Sequence, residues 1–274
     1  MPYWSPMRAI DWISARARPY GPKSDNSFIF YEDHEKYKFT NLAKLMDKSP
    51  FFYFYDQTAL MQASEIYDGK DGRMGDFHRL TKAPAFTTTN REREISKGML
   101  ASEAMVIDWT RKNFDTFAYN YSNQFKNSTH LNENKLVQNK DDPYTRWSTS
   151  NMTIFHNQTQ MYMWEDSKIY DHEVYESWFL QRQSILQQFD SETVKVSMHG
   201  NSELKAGDVV HLNVGSRSSD EPEQQDKMLS GKYIAINVRH SILVGEAAGY
   251  STHCDLAKDS MIDAIPDSTS ITSG

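Results

Sequence analysis

The stretch that decides the fold runs from Thr193 to Leu256: TVKVSMHGNSELKAGDVVHLNVGSRSSDEPEQQDKMLSGKYIAINVRHSILVGEAAGYSTHCDL. It divides into the strand TVKVSM, the turn HGNSELKAGD, the strand VVHLNV, a polar loop from Gly215 to Ser230, the strand GKYIAINVRHSIL and the strand YSTHCDL. Val210, Leu212 and Val214 alternate with His211 and Asn213. Ile234, Ile236, Val238 and Ile242 form a second expected apolar face, opposite Tyr233, Asn237 and Arg239. A period of two marks half-buried strands. Four of them in one stretch predict a small antiparallel barrel or sandwich.

Working outward, Asp171 to Gln188 predicts the best helix, with Val174, Trp178, Ile185 and Phe189 in a stripe and Phe179 and Leu186 beside it. Near the N-terminus, Ser5-Pro6 reads as an N-cap followed by proline in the first turn. Met7, Ile10, Ile13 and Ala17 recur at helical spacing, predicting a helix over 6–18 packed by its Met/Ile face. A hairpin, SFIFYED and KYKFTNL with its turn at Asp33 to Lys36, comes next. A short helical turn at Leu42, Leu45 and Met46 precedes the aromatic strand FFYFYDQ. MLASEAMVIDWT and NFDTFAYNYS predict a further strand pair, with Met105, Ile107 and Trp109 in phase. The Asn-rich segment Asn123 to Ser150 is expected to cross the surface or to order only against a partner. The fold class is therefore α+β, mainly antiparallel β, with a small barrel or sandwich and a few packed helices. Its expected organisation is an α+β domain over 1–165, a helix plus barrel over 166–256 and a flexible tail over 257–274.

Composition limits the function classes. The 274 residues suit one large or two small domains. Mean hydropathy is −0.71, yet aromatics reach 13%, which disordered chains lack. A formal charge of −7 argues against general nucleic-acid binding. The only cysteine is Cys254, so no internal disulfide forms; a cytosolic compartment is expected. MPYWSPMRAIDWI lacks a signal-peptide pattern, and no apolar run reaches membrane-spanning length. The sequons at Asn120, Asn127, Asn151 and Asn157 read as chance in an Asn-rich region.

No chemistry-bearing motif emerges. His199, His211, His240 and His253 lie in the decisive stretch beside Cys254, but alternation turns them to different faces, against a zinc site. Cys254 with His240 as nucleophile and base lacks an oxyanion nest. The carboxylates Glu65, Asp68, Asp71 and Asp76 read as a solvated loop rather than a glycosidase pair. Catalytic, metal-ligating and cofactor-binding residues are therefore expected to be none. The candidate interface residues are Trp178, Phe179, Arg217, Glu221, Asp226 and Lys232, on the aromatic helix and on and beside the polar loop.

Three stretches then carry a family resemblance: YWSPMRAIDWISARA with SFIFYEDHEKYKFTNLAKLM, QRQSILQQFDSETVKVSMHGNSELKAGDVVHLNV, and SGKYIAINVRHSI with YSTHCDLAKDS. Covering roughly half of the chain, at both ends, they resemble the central baseplate hub of T-even-type contractile-tail bacteriophages. The resemblance implies a non-enzymatic virion protein, assembled in the host cytoplasm as a homotrimer without membrane anchor or cofactor. Each subunit would carry tube-like barrels that adapt a threefold central spike to a sixfold tail tube. The tape-measure protein and then DNA would pass through the lumen without specific binding. The family hub carries barrel strands before the helix that begins here at Ser5-Pro6, so those strands are expected from another chain or a longer protein. The alternatives are a cell-wall-hydrolysing tail enzyme and the hub of a related contractile secretion machine.

Overall fold

A computed structural model of the chain describes residues 3–17, 26–56, 78–88, 96, 98–108, 112–136, 152–157, 162–163, 169–170, 179–215, 225–245 and 248–263. Its fold is α+β with mostly antiparallel strands.

The decisive stretch folds as four strands: β11 (Glu192–His199), β12 (Val209–Asn213), β13 (Gly231–Leu243) and β14 (Gly249–Lys258). They form a six-stranded sheet with β3 (Phe52–Tyr55) and β4 (Ala85–Thr88), in the order β3-β12-β13-β14-β11-β4. Only β3 runs parallel to its neighbour. The segment 79–81 then links the sheet across its curl: Tyr55 bridges Arg79 and Leu80 bridges Met198, with hydrogen bonds from Leu80 N to Tyr55 O (3.0 Å) and Thr81 N to Ser197 O (2.8 Å). Backbone pairing thus passes from β3 through this segment to β11. The enclosed core holds Phe54, Leu80, Val196, Met198, Leu204, Val210, Leu212, Tyr233, Cys254 and Leu256.

One expected face is corrected. Tyr233 and Ala235 point into the core, whereas Ile236 is 51% exposed. A β-bulge lies between Ala235 and Asn237, so two residues oppose one on β14 and the parity reverses. Before the bulge odd positions face inward; after it Val238 does. Ile242, 70% exposed, extends beyond the core. The uncorrected alternation makes Ile236→Asp disruptive. The structure instead predicts a stability change within about 0.5 kcal/mol. Thermal denaturation checks this, and a loss above about 2 kcal/mol would return Ile236 to the interior.

Among the described residues, helices cover one half of the sheet's outer face. Helix α1 (Pro6–Arg16), strands β1 (Phe28–Glu32) and β2 (Tyr37–Asn41), and helix α2 (Leu42–Met46) lead into β3. Leu42, Leu45 and Met46 pack with Ile185 and Phe189 of the helix Phe179–Ser191 (α4) over Val209, Ile234 and Ala257. Val209 of β12 is consequently buried on the outer face, while His211 and Asn213 on the same face stay half-buried. The expected stripe of α1 is corrected too: Met7 and Ile13 are exposed, while Ser14 turns inward and its hydroxyl donates to Ile10 O (2.8 Å). The α1 N-cap is Ser5, as its position before Pro6 predicts.

The hairpin turn is fixed by Asp33. Its buried carboxylate accepts from the amides of Glu35 (2.9 Å) and Lys36 (2.8 Å) and pairs with the Lys38 ammonium. The Lys38 bond holds this carboxyl well below the usual carboxylate range, against the opposing effect of burial. A carboxyl depressed on folding stabilises above its unfolded value, near pH 4, and loses that contribution as pH falls further. Asp33→Asn is expected to flatten the acid limb of a stability profile below about pH 4 while lowering neutral-pH stability. An unchanged acid limb would contradict this.

A second sheet, β6-β5-β8, joins β5 (Ala101–Asp108), β6 (Asn113–Asn120) and β8 (Met152–Asn157). Ala104 and Val106 face its core rather than Met105 and Ile107. α4 packs by Leu180 against this sheet's cluster and by Ile185 and Phe189 against the first, so it joins the two. The expected helix region Asp171 to Trp178 lies outside the described residues.

Candidate functional site

The most distinctive surface is the outer edge of the distal half of β13, here the arm; its other side pairs with β14, which pairs in turn with β11 as far as Ser251. β13 and β14 pair from Ile234↔Ala257 to Leu243↔Gly249. The β12 side reaches β13 only up to Ala235, which exchanges bonds with Gly207 N (2.8 Å) and Asp208 O (2.9 Å). From Asn237 to Leu243 the outer edge of β13 has no strand partner among the described residues. Ile242, Leu243 and Val244 are exposed at the tip, Val244 to 94%, with Tyr250 beside them. Next to the tip, the Tyr250 ring lies against Gly200, where an added Cβ would meet it at 1.9 Å. A long unpaired edge next to apolar side chains is a template for another strand.

A second apolar surface lies on the β1–β2 hairpin. Its outer face stacks Phe28 on Phe39 (5.3 Å) and Phe30 on Tyr37 (5.7 Å). Tyr37 and Phe39 remain exposed. Exposed aromatics of this kind are typical of contact surfaces.

The Asn-rich segment is only partly the surface excursion expected from its composition. Helix α3 (Tyr121–Gln124), a 3₁₀ turn (Phe125–Asn127) and β7 (Asn134–Lys135) form a strap across the C-terminal residues. β7 pairs with β15 (Ser260–Met261). The His130 Nδ1 lies 2.6 Å from the Asp259 carboxylate, and its Nε2 lies 2.8 Å from Phe125 O. Asp259 also accepts from Leu131 N (3.1 Å) and Ser260 Oγ (2.8 Å). The Asn132 amide donates to Ser260 O (2.9 Å) while its carbonyl accepts from Lys232 N (3.0 Å). Residues 257–261, assigned from composition to a flexible tail, are buried under this strap. Lys258 is 1% exposed, bonded to Met228 O and 3.4 Å from Glu192; burial pulls its ammonium below the ordinary range. The strap's surface holds a polar cavity of about 470 Å³ lined by Phe125, Lys126, Ser128, His130, Asn134 and Lys135, among others. His130 and Asn134 already bond to the protein, and so does Lys135, to Ser122. The cavity's polar groups are thus largely spent on holding the strap.

The histidines of the decisive stretch do not converge. His211, tilted against Tyr53, has its pKa lowered by burial and by Lys232. His253 meets Ser197 Oγ (2.8 Å) on the outer face, whereas His240 meets the Tyr250 hydroxyl (3.0 Å). Among the described residues no group of three His, Cys, Asp or Glu side chains is placed to hold a metal. Cys254 is buried opposite Val238, and burial pushes its thiol up to about 12, far from thiolate reactivity.

Of the expected interface residues, Trp178, Arg217 and Glu221 lie outside the described residues, as do Glu65, Asp68, Asp71 and Asp76. Phe179 packs partly buried against the second sheet's core. Asp226 caps its own turn by accepting from Met228 N (2.9 Å) and Leu229 N (3.0 Å). Lys232 is half-buried, its backbone tied to Asn132. The structure therefore gives these three local structural partners, and it places the apolar arm elsewhere. The exposed signal was present in the sequence as Ile242-Leu243-Val244, three consecutive apolar residues next to Gly245.

Fold and surfaces together define an α+β protein with a curled, mostly antiparallel sheet whose β13 edge is unpaired among the described residues. No protein-family model matches the chain, and no curated protein matches it in sequence.

Proposed function

We propose that the chain is a structural assembly module, the central hub of a contractile-tail baseplate, whose copies join into a ring. The observation that carries this reading is the arm: a β13 edge from Asn237 to Leu243 that no strand among the described residues pairs, with apolar residues at its tip. Backbone N–H and C=O groups on such an edge are complementary to an extended strand, and the tip supplies apolar area to bury. The family resemblance of the two ends supports the same assignment, with a homotrimer set between a tail tube protein and a central spike protein. In this reading the virion is its location, the lumen passes the tape-measure protein and DNA, and the chain catalyses no reaction.

Mass photometry of the purified chain tests the proposal. The expected result is a trimer or a multiple of it, reduced to monomer by Ile242→Asp with Val244→Asp at unchanged melting temperature. A wild-type chain that stays monomeric at micromolar concentration and binds no tail component overturns it.

A further inference from the structure

Among the described residues, half of the sheet's outer face is covered by neither the helices nor the arm tip. Where Ile234, Ala257 and Val209 lie under α2 and α4, this face is apolar. Beyond Ala257 its character changes. Cross-strand pairing places Lys195, Asp255 and Asn237 in one row. Ser197, His253 and Arg239 form the next, and His199, Ser251 and Ser241 the third. Because alternate residues share a face, these side chains form one largely polar array, with the exposed Ile236 of the bulge beside Asn237, in steps of about 7 Å along the strands and about 5 Å between them. Lys195, His199, Asn237 and Arg239 are exposed. Among the described residues neither Lys195 nor Arg239 has an ion-pair partner. The array's single acid, Asp255, is half-buried and lies 3.4 Å from the Asn237 amide nitrogen.

We infer that this face contacts the phosphate backbone of nucleic acid. The chain as a whole carries −7, so a surface with two unpaired cations, two histidines and three serine hydroxyls departs from its average in one direction. Lys, Arg, Ser and Asn are the side chains that meet phosphate oxygens, and such contacts carry no sequence information. The array has no Phe, Tyr or Trp on which a base could stack, so the expected binding is weak, sequence-independent and salt-sensitive. That suits a surface along which a polyanion moves rather than one that stores it. The inference does not depend on ring formation, since the face is complete within one chain.

The test is fluorescence anisotropy of the full chain with a labelled oligonucleotide of about 30 bases, single-stranded and duplex, from about 50 to 200 mM salt. Binding at low salt that weakens steeply with salt is expected. Lys195→Glu with Arg239→Glu should lower the affinity at least about tenfold and flatten the salt slope by about two. The exchanged pair Lys195→Arg with Arg239→Lys should keep it, as should Lys227→Glu, whose site pairs with Asp263 at 3.0 Å. Thermal denaturation confirms that each variant is folded. No wild-type binding at low salt, equal binding by the charge-reversed variant, or binding of labelled polyglutamate but not of nucleic acid would each overturn the inference.

Discussion

Asp259→Ala is expected to destabilise the protein by about 3–5 kcal/mol. The carboxylate is fully buried and serves three groups at once: His130 Nδ1, Leu131 N and Ser260 Oγ. Both ring nitrogens of His130 face oxygens, those of Asp259 and Phe125. Removing Asp259 therefore strands a buried imidazole and a buried amide in one step, and each orphaned group costs its desolvation. The ring is also stacked on Phe125 at 3.7 Å, so it cannot turn to water without losing that contact. Urea denaturation of wild type and variant checks the figure. A further signature is local: hydrogen exchange should accelerate along 128–136 and 258–261 together, since each segment holds the other. A loss below about 1 kcal/mol would show that the pair is replaceable. The double variant His130→Leu with Asp259→Leu should recover part of the loss, because the imidazole is no longer stranded and only the Leu131 amide and the Ser260 hydroxyl still lack the carboxylate.

Phe54→Ala is the second large effect, about 3–5 kcal/mol. Phe54 is completely buried, pairs with Leu212 in β12 and contacts the enclosed core. Its neighbour Tyr55 receives the bond from Leu80 that carries pairing across to β11. The cavity left by the ring would lie beside this link, so the loss should come with faster exchange at Leu80 and Thr81 than in β13 and β14. Equal acceleration across all strands would mean that the link is no weaker than the rest of the sheet. Equilibrium urea unfolding, with a slope unchanged from wild type, supplies the stability figure.

What the sequence disclosed depended on the range of the causes. The four strands from 192 to 258 and the β1–β2 hairpin follow from alternation and from turn residues, which are local, and they fold where those patterns lie. The bulge at Ile236 escaped because an extra residue looks like uninterrupted alternation: Ile234, Ile236 and Val238 fit one parity while the strand obeys two. The strap escaped for a different reason. Asn132 and Asn134 belong to the residue types that make loops polar, and only their bonds to Ser260, Lys232 and Ile262 show them to be ties. His130 and Asp259 are separated by 129 positions, and nothing local links them. The arm was legible as a strand but not as an open edge, since that depends on where β12 stops. For α1, helical spacing predicted the element correctly but not its packed face. A stripe of Met and Ile shows that a face is apolar, not that something covers it.

The bulge has a consequence for how the protein can vary. Every other residue of β13 near this point is committed to a side, inward or outward. Ile236 alone is supernumerary, so its loss would leave Tyr233, Ala235 and Val238 facing as they do now. What would change is the local twist, which a bulge raises. The angle at which the open β13 edge is presented is therefore adjustable by a single residue without rewriting the interior. In the proposed ring, curvature and stability would become separate properties of the chain: subunit number could drift while the hydrophobic interior stayed under its own constraints.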